Sequence, residues 1–170
     1  MTYTAPLADM RFVMNELADF HAVRSLPGHE DVTPDLVDAI LDEAAKFGSE
    51  VLAPINAVGD RQGCVFENGV VRTAEGFREA YAQFVETGWH TLPFEPEYGG
   101  QGLPLLVSTA VSEIWTAANM AFGLCPMLTQ AGAELLSVHG TDEMKTTYLA
   151  KMVSGEWAGT MNLTEPQAGS

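Results

Sequence analysis

The chain has 170 residues, of which 46% are hydrophobic and 18% are charged, enough for one sizeable buried core. Eight basic against 23 acidic residues give a formal net charge of -15, which disfavours binding to nucleic acid or to anionic lipid. No apolar run reaches the roughly 18 residues of a membrane span, and the amino terminus lacks the order of a signal peptide.

The amino-terminal third of the chain predicts helices and one hairpin. The first thirty residues are interpreted as a short helix followed by an irregular arm. A helix is then predicted over residues 34–55, because Thr33 can cap it and Pro34 suits its first turn. The apolar residues of this helix recur in steps of four and three, namely Leu36, Ile40, Ala44, Phe47, Val51 and Ile55. Asn68-Gly69, between two short β-branched runs, predicts a tight hairpin turn.

The remaining segments also favour helix. A helix is predicted over residues 74–86, with Gly88 just beyond its end. After a connector rich in Pro and Gly, residues 104–122 contain Glu113 as their only ionised side chain, which predicts a helix buried on most sides. Two further helices are predicted over residues 127–138 and from Thr141 towards Glu156.

Metal and dinucleotide motifs are not found. Cys64 and Cys125 have no CxxC spacing and are interpreted as free thiols, which fits a reducing, cytoplasmic setting. The four histidines are never within four residues of one another or of a cysteine, so no metal site is predicted. The GGQG stretch at residues 99–102 lacks the third Gly of GxGxxG and is interpreted as a turn.

The last eleven residues, TMNLTEPQAGS, combine side chains that suit a planar, phosphate-bearing ligand. Pro166 favours an extended Glu165, the Thr164 hydroxyl can donate and accept, and residues 168–170 let backbone amides approach a ligand closely. A strand leaving a sheet through a turn would use the same residue types, so both interpretations stay open at this point.

The segment MNLTEPQAGS resembles the signature that opens the middle β domain of the acyl-CoA dehydrogenase family. The segments PFEPEYGGQGLP and HGTDEMKTTYLAKMVSGEW are similar to the same family in the same order. YTAPLADMRFVMNEL is similar to its longer bacterial members, of the 3-methylthiopropanoyl-CoA dehydrogenase type. The resemblance covers nearly the whole chain and is strongest from Phe94 onward.

This resemblance implies a mainly α fold. Residues 1–156 would form the helical amino-terminal domain with its arm and small hairpin. Residues 157–170 would begin a β middle domain at its first strand, and the rest of that domain and a carboxyl-terminal domain would be missing. In the family, the helices after the GGQG loop line the acyl channel. Four methionines can therefore be interpreted in two ways, namely Met120, Met127, Met144 and Met152. Methionines at helical spacing are typical core fillers, and the alternative is that these four line an acyl pocket.

The implied activity is FAD-dependent oxidation of acyl-CoA to trans-2-enoyl-CoA, with an electron-transfer flavoprotein as the electron acceptor and a homo-oligomeric assembly. The catalytic base of the family lies in the missing carboxyl-terminal domain, so no catalytic residue is assigned and the fragment alone is expected to be inactive. Two alternatives remain open, an acyl-CoA oxidase fragment and a non-catalytic helical interaction module.

The resemblance also implies binding residues. The expected cofactor-binding residues are Met161, Leu163, Thr164, Gly169 and Ser170, with Thr164 hydrogen-bonding the flavin ring. The expected substrate residues are Ser170, Phe122, Leu124 and Met127. Gln167 and Asn162 depart from the commonest residues of the signature, where many relatives have Gly and either Cys or Ser, which leaves the detail of this loop open.

Overall fold

The computed structural model describes residues 3–162 and 164–169. The prediction of a mainly α fold is confirmed, since eight α-helices and one two-stranded sheet make up the regular structure of these residues. The helices are α1 Leu7–Phe12, α2 Phe20–Arg24, α3 Pro34–Lys46, α4 Ala53–Gln62, α5 Phe77–Glu86, α6 Leu105–His139, α7 Asp142–Met144 and α8 Ala150–Val153. The strands are β1 Val65–Glu67 and β2 Val70–Arg72, π-helical turns span Val13–Leu17, Phe47–Leu52 and Lys145–Leu149, and 3-10 turns span Trp89–Thr91 and Pro96–Tyr98.

The predicted start of the helix at Pro34 is confirmed. The Thr33 hydroxyl accepts a hydrogen bond from the Leu36 backbone N–H at 3.2 Å, which satisfies one of the free donors of the first turn. The helix does not end at Ile55 as predicted, because α3 continues through a π-helical turn into α4 and ends at Gln62.

The buried face of this long helix agrees with the predicted one at Ala44 and Phe47 and differs from it on either side of them. Leu36 is 42% exposed, whereas Val37 is 4% exposed and Leu41 is 1% exposed. Apolar residues occupy both neighbouring rows of α3, so spacing alone could not decide which row faces the core. The widened turn at Phe47–Leu52 then shifts the face again, and Leu52 is fully buried.

The hairpin between β1 and β2 is confirmed at the predicted turn. Asn68 and Gly69 both have positive φ, 53° and 78°, as the tight hairpin turn requires. Val65 pairs with Arg72 and Glu67 with Val70 in antiparallel register. All six strand residues are exposed, so the hairpin contributes no side chain to the core.

Helix α5 begins at Phe77 rather than at the predicted Ala74. Gly76 has a φ of 85°, a left-handed conformation that the right-handed helix cannot contain, and it therefore precedes the first turn. The predicted end at Glu86 is confirmed, and Gly88 follows with a φ of 76°.

The GGQG stretch is a turn, as predicted. Gly99 and Gly102 have φ values of 90° and 64°. A Cβ atom added at Gly100 would lie 1.9 Å from the Phe94 carbonyl oxygen, so the two backbone segments could not come this close with any larger residue. The glycines are thus explained by backbone geometry, without a nucleotide.

Gln101 ties this turn to the segment after α5. Its side-chain amide donates to the Gly88 carbonyl oxygen and to the Thr91 hydroxyl, both at 3.0 Å. These two bonds fix the connector that leads into α6.

Helix α6 joins two segments that were predicted as separate helices over residues 104–122 and 127–138. It runs from Leu105 to His139 and contains one non-helical residue, Asn119, with φ -160° and ψ 90°. Pro126 lies inside the helix and is buried, so it does not produce the expected loop. None of the helices in the described part of the chain is long and apolar enough to cross a membrane.

The main core surrounds Phe84 of α5. Its ring contacts the rings of Phe47, Trp115 and Phe122 at centroid distances of 6.2, 4.9 and 5.6 Å. These rings come from the long helix and from both halves of α6, so aromatic packing joins the main helices into one unit. A smaller cluster, composed of Phe94, Ala133, Leu149 and Val153, holds the last helices against the second half of α6.

Candidate cofactor and substrate site

The segment after α8 is attached to α6 by a buried hydroxyl. The Gly159 backbone N–H donates to the Thr129 hydroxyl at 3.0 Å, and this hydroxyl in turn donates to the Cys125 carbonyl oxygen at 3.0 Å. Thr129 is 6% exposed, so the contact is largely shielded from water and is stronger than the same bond at the surface. The last residues of the chain therefore begin at a point where the backbone is bonded to α6.

Gly159 allows this close approach. A Cβ atom added there would lie 2.9 Å from the Met152 methyl carbon and 3.3 Å from the Thr129 Cα atom. A larger residue would require the Met152 side chain to move and the backbone at Thr129 to give by a few tenths of an ångström. The chain thus lies beside Thr129 two residues before Met161, the first predicted cofactor-binding residue.

The predicted cofactor-binding stretch is exposed over its described residues. Met161 is 55% exposed, and Thr164 and Gly169 are also exposed. A Cβ atom added at Gly169 would meet no atom within 4 Å, which leaves its backbone open to a ligand. Leu163 and Ser170, the other two predicted cofactor residues, lie outside the described residues.

A tight turn shapes the end of this stretch. The Glu165 N–H donates to the Ala168 carbonyl oxygen at 3.0 Å, and the Ala168 N–H donates to the Glu165 carbonyl oxygen at 3.2 Å. Pro166 and Gln167 form the tip, where proline suits a turn because its φ is fixed. An exposed methionine, an exposed threonine hydroxyl and an open glycine backbone are groups that fit a planar ring bearing phosphates.

The predicted first strand at residues 157–164 is not formed in the described part of this segment. Residues 158–162 belong to no strand of the described part of the chain. A strand is stable only when a neighbour accepts and donates its hydrogen bonds. The division into domains at residue 157 therefore stays a prediction.

The predicted substrate residues of α6 separate onto two faces. Phe122 is 4% exposed and packs edge-on against Phe84 inside the core. Leu124 is 49% exposed and Met127 is 52% exposed, on the face that the described residues leave uncovered. Leu124 and Met127 are thus available to a ligand, and Phe122 instead anchors the helix that carries them.

The core interpretation of the methionines is wrong for three of the four. Met120, Met127 and Met144 are 61%, 52% and 41% exposed, while Met152 is partly buried beneath Gly159. Helical spacing shows that residues share a face but does not show what covers that face. An apolar ligand or another part of the protein explains such a row as well as a core does.

His90 is a buried group that the sequence did not single out. It is 7% exposed, and neither ring nitrogen has a hydrogen-bond partner within the described part of the chain. The ring borders a small cavity of about 10 Å³, partly open to solvent, between α5, α6 and the turn at Gly155. Burial lowers the pKa of His90 below its ordinary value of 6.5.

We expect His90→Phe to reduce the acid sensitivity of the fold. With the pKa of His90 lowered in the folded protein, the unfolded chain takes up a proton as the pH falls below 6.5 while the folded chain does not. Stability is therefore lost from about pH 6.5 downward, and none of this loss occurs above it. Phenylalanine keeps a ring of similar size and cannot take up the proton.

The measurement is the drop in melting temperature between about pH 7.5 and about pH 5, compared between wild type and variant. The drop should be smaller for His90→Phe. The exposed His21→Phe is the matched control and should behave like wild type. Equal drops in all three proteins would contradict this prediction.

Metal chemistry has no support in the described residues. No group of three or more His, Cys, Asp or Glu side chains among them could hold a metal ion. Cys64 and Cys125 are both free, as predicted.

Comparisons with known proteins give one family. Residues 35–156 match the family model described as "Acyl-CoA dehydrogenase, N-terminal domain". The 3-methylmercaptopropionyl-CoA dehydrogenase of Ruegeria pomeroyi is 45% identical over the whole chain, which spans 29% of that relative's length. The solved butyryl-CoA dehydrogenase of Megasphaera elsdenii matches with a TM-score of 0.66 and 25% identity, over 81% of this chain and 34% of that one.

A second solved structure was reported for the electron transferring flavoprotein of Acidaminococcus fermentans, in work on flavin-based electron bifurcation. A chain in it matches with a TM-score of 0.66 and 29% identity, over 81% of this chain and 33% of that one.

Proposed function

This chain belongs to the acyl-CoA dehydrogenase family, and we propose that it forms the amino-terminal part of a FAD-dependent enzyme that oxidises acyl-CoA to trans-2-enoyl-CoA. The observation that carries the proposal is the bond between Gly159 and Thr129. It brings the stretch with the family signature onto the helix that exposes Leu124 and Met127. The predicted cofactor-binding stretch thus begins on the same half of α6 that exposes these two apolar side chains.

FAD, when bound, supplies the acceptor for the hydride that leaves the β-carbon of the acyl chain. Met161 and Leu163 would flank its ring, and the Thr164 hydroxyl would form a hydrogen bond to it. Gly169 and Ser170 would present backbone N–H groups to the pyrophosphate, because small residues let the main chain approach closely. Ser170 would also contact the substrate.

The acyl chain would lie against Leu124 and Met127, whose apolar side chains exclude water from the reacting carbons. Phe122 would hold these two residues in place from inside the core. A carboxylate must remove the α-proton, and the family resemblance places that base beyond these 170 residues. This chain would therefore orient cofactor and substrate without taking part in the proton transfer.

The proposed partners follow from the same assignment. Electrons would leave through an electron-transfer flavoprotein, in line with the match to a chain in the Acidaminococcus fermentans structure. The enzyme would be a cytoplasmic homo-oligomer. With a net charge of -15, the basic groups that bind the phosphates of CoA would have to come mainly from elsewhere in the protein.

The direct test uses the full-length protein under anaerobic conditions. The purified enzyme should show a flavin absorbance spectrum that bleaches on titration with acyl-CoA. The bleached enzyme should be reoxidised far faster by an electron-transfer flavoprotein than by oxygen, since the matched relatives are dehydrogenases rather than oxidases. A protein without flavin, or a flavin that acyl-CoA does not bleach, would refute the proposal.

We expect Thr164→Val in this enzyme to lower flavin affinity or the rate of flavin reduction by about 10-fold. Valine keeps the shape of threonine and removes the hydroxyl that would bond the ring. Flavin content and stopped-flow reduction rates measure the effect. The matched control is Thr160→Val, an exposed threonine four residues earlier, which should have no effect. Wild-type flavin content and rate in Thr164→Val would count against the role of this residue.

A further inference from the structure

Asn119 interrupts α6 and is one of the most buried polar residues of the protein. It is 1% exposed, and its φ of -160° and ψ of 90° leave the helical conformation for one residue. Such a break removes the helical hydrogen-bond partners of the following N–H groups. The side chain of Asn119 must therefore compensate for it.

Its side chain makes two hydrogen bonds in different directions. The Oδ1 atom accepts from the Phe122 N–H at 3.1 Å, which caps the second half of α6 as an N-cap asparagine does. The Nδ2 group donates to the Leu52 carbonyl oxygen at 3.2 Å, 67 residues earlier in the chain. One amide thus joins the start of the second half of α6 to the junction of the π-helical turn and α4.

The second half of α6 carries the exposed face that is proposed for the substrate. Leu124 and Met127 follow Asn119 by five and eight residues. A change in the direction of the helix axis at Asn119 would therefore move both side chains. Phe122 fixes the same turn of helix from the core side through its contact with Phe84. The first half of α6 is held separately, with Ile114 packed against Gly48.

We propose that Asn119 is a positioning residue for acyl-chain selection, and this proposal rests on the function proposed above. Through its bond to Leu52, Asn119 sets the orientation of the helix face that contains Leu124 and Met127 relative to the rest of the domain. The width available to the acyl chain then depends in part on this amide, together with the core contact of Phe122. Asn119 itself is buried and does not touch substrate.

Three variants of the full-length enzyme separate the two bonds. Asn119→Asp keeps an oxygen for the Phe122 N–H but loses the donor to Leu52. Asn119→Ser also keeps a cap oxygen and is too short to reach Leu52, and Asn119→Ala loses both bonds. The control is Asn56→Ala, an exposed asparagine of α4.

The readout is the ratio of kcat/KM values for a short and a long straight-chain acyl-CoA, with KM and kcat reported separately. We expect the ratio to shift by about 10-fold in the Asp and Ala variants, mainly through KM, because one misplaced pocket wall changes discrimination by this order. The Ser variant should shift it in the same direction, and Asn56→Ala should not. Flavin content should stay that of wild type in the folded variants.

The outcomes distinguish this proposal from the proposed function. If wild type fails to oxidise any acyl-CoA, the proposed function fails first. If wild type is active and the folded Asp, Ser and Ala variants keep its chain-length ratio, the positioning role alone is overturned. If none of the three yields folded enzyme, Asn119 serves folding rather than positioning, which also overturns the proposal.

Discussion

The 170-residue chain produced alone is expected to self-associate, to retain no FAD and to show no acyl-CoA oxidation. The second half of α6 exposes a row of large apolar side chains along one side, namely Met120, Leu124, Met127, Leu135 and Val138, each about half exposed or more. Soluble monomers rarely expose such a continuous apolar surface. Covering these side chains would contribute on the order of 10 kcal/mol, which is comparable with the whole stability of a domain.

Loss of flavin has a separate cause. Residues 158–162, which include the first predicted cofactor-binding residue, belong to no strand in the described part of the chain, so a ligand there would have to order them at its own cost in entropy. Static light scattering and a flavin absorbance scan measure both properties on one sample. A monomer that carries one FAD per chain would refute the account.

A pair of variants tests whether the exposed row of α6 is responsible. Leu135→Glu should lower the apparent mass in light scattering, because a carboxylate is costly to bury in an apolar contact. Leu26→Glu changes a residue that is 54% exposed in the amino-terminal arm and should leave the mass unchanged. Equal behaviour of the two variants would place the association elsewhere.

Enlarging Leu124 or Met127 in the full-length enzyme is expected to exclude long acyl chains. Leu124→Trp or Met127→Trp should lower kcat/KM for a long straight-chain acyl-CoA by about 10- to 100-fold relative to a short one, in the range that steric changes in apolar pockets produce. Both side chains lie on the uncovered face, so a larger ring fills ligand space rather than the core. Steady-state kinetics over a series of chain lengths measures the change.

Phe122→Leu provides the contrast on the same helix. Phe122 packs against Phe84 and Phe77, so its truncation should lower the melting temperature and change the chain-length profile less than either tryptophan substitution, because it adds no bulk to the ligand space. The surface control is Leu26→Trp, which should alter neither quantity. An unchanged profile in both tryptophan variants would mean that Leu124 and Met127 do not line the acyl site.

Local signals in the sequence located the starts of several elements correctly. Thr33 before Pro34 fixed the start of α3, and Asn68-Gly69 fixed the hairpin, because in both cases neighbouring residues alone determine the backbone. The continuity of α6 was not predictable in this way. The position of its interruption depends on a bond from Asn119 to Leu52, and Pro126 is accommodated inside the helix without ending it.

The candidate site was predictable only in part. Met161 was found through the family signature alone, whereas the hydroxyl of Thr164 was also noted for its own chemistry, and the roles of both residues stay predictions. The family resemblance placed Phe122 and Leu124 in one group, although residues two apart lie on opposite sides of a helix, and Phe122 is buried while Leu124 is exposed. His90 carried no pattern at all, since its burial follows from the tertiary packing of α5, α6 and the turn at Gly155.

The π-helical turn at Phe47–Leu52 also affects how this sequence is aligned with its relatives. Its hydrogen bonds span five residues instead of four, so the turn holds more chain than an ordinary helical turn of the same height. A relative with a regular α-helix there would need a gap in the middle of the helix to keep its buried residues in register. An ungapped alignment would then pair Leu41 correctly and misplace Leu52, and buried positions of one protein would be compared with exposed positions of the other.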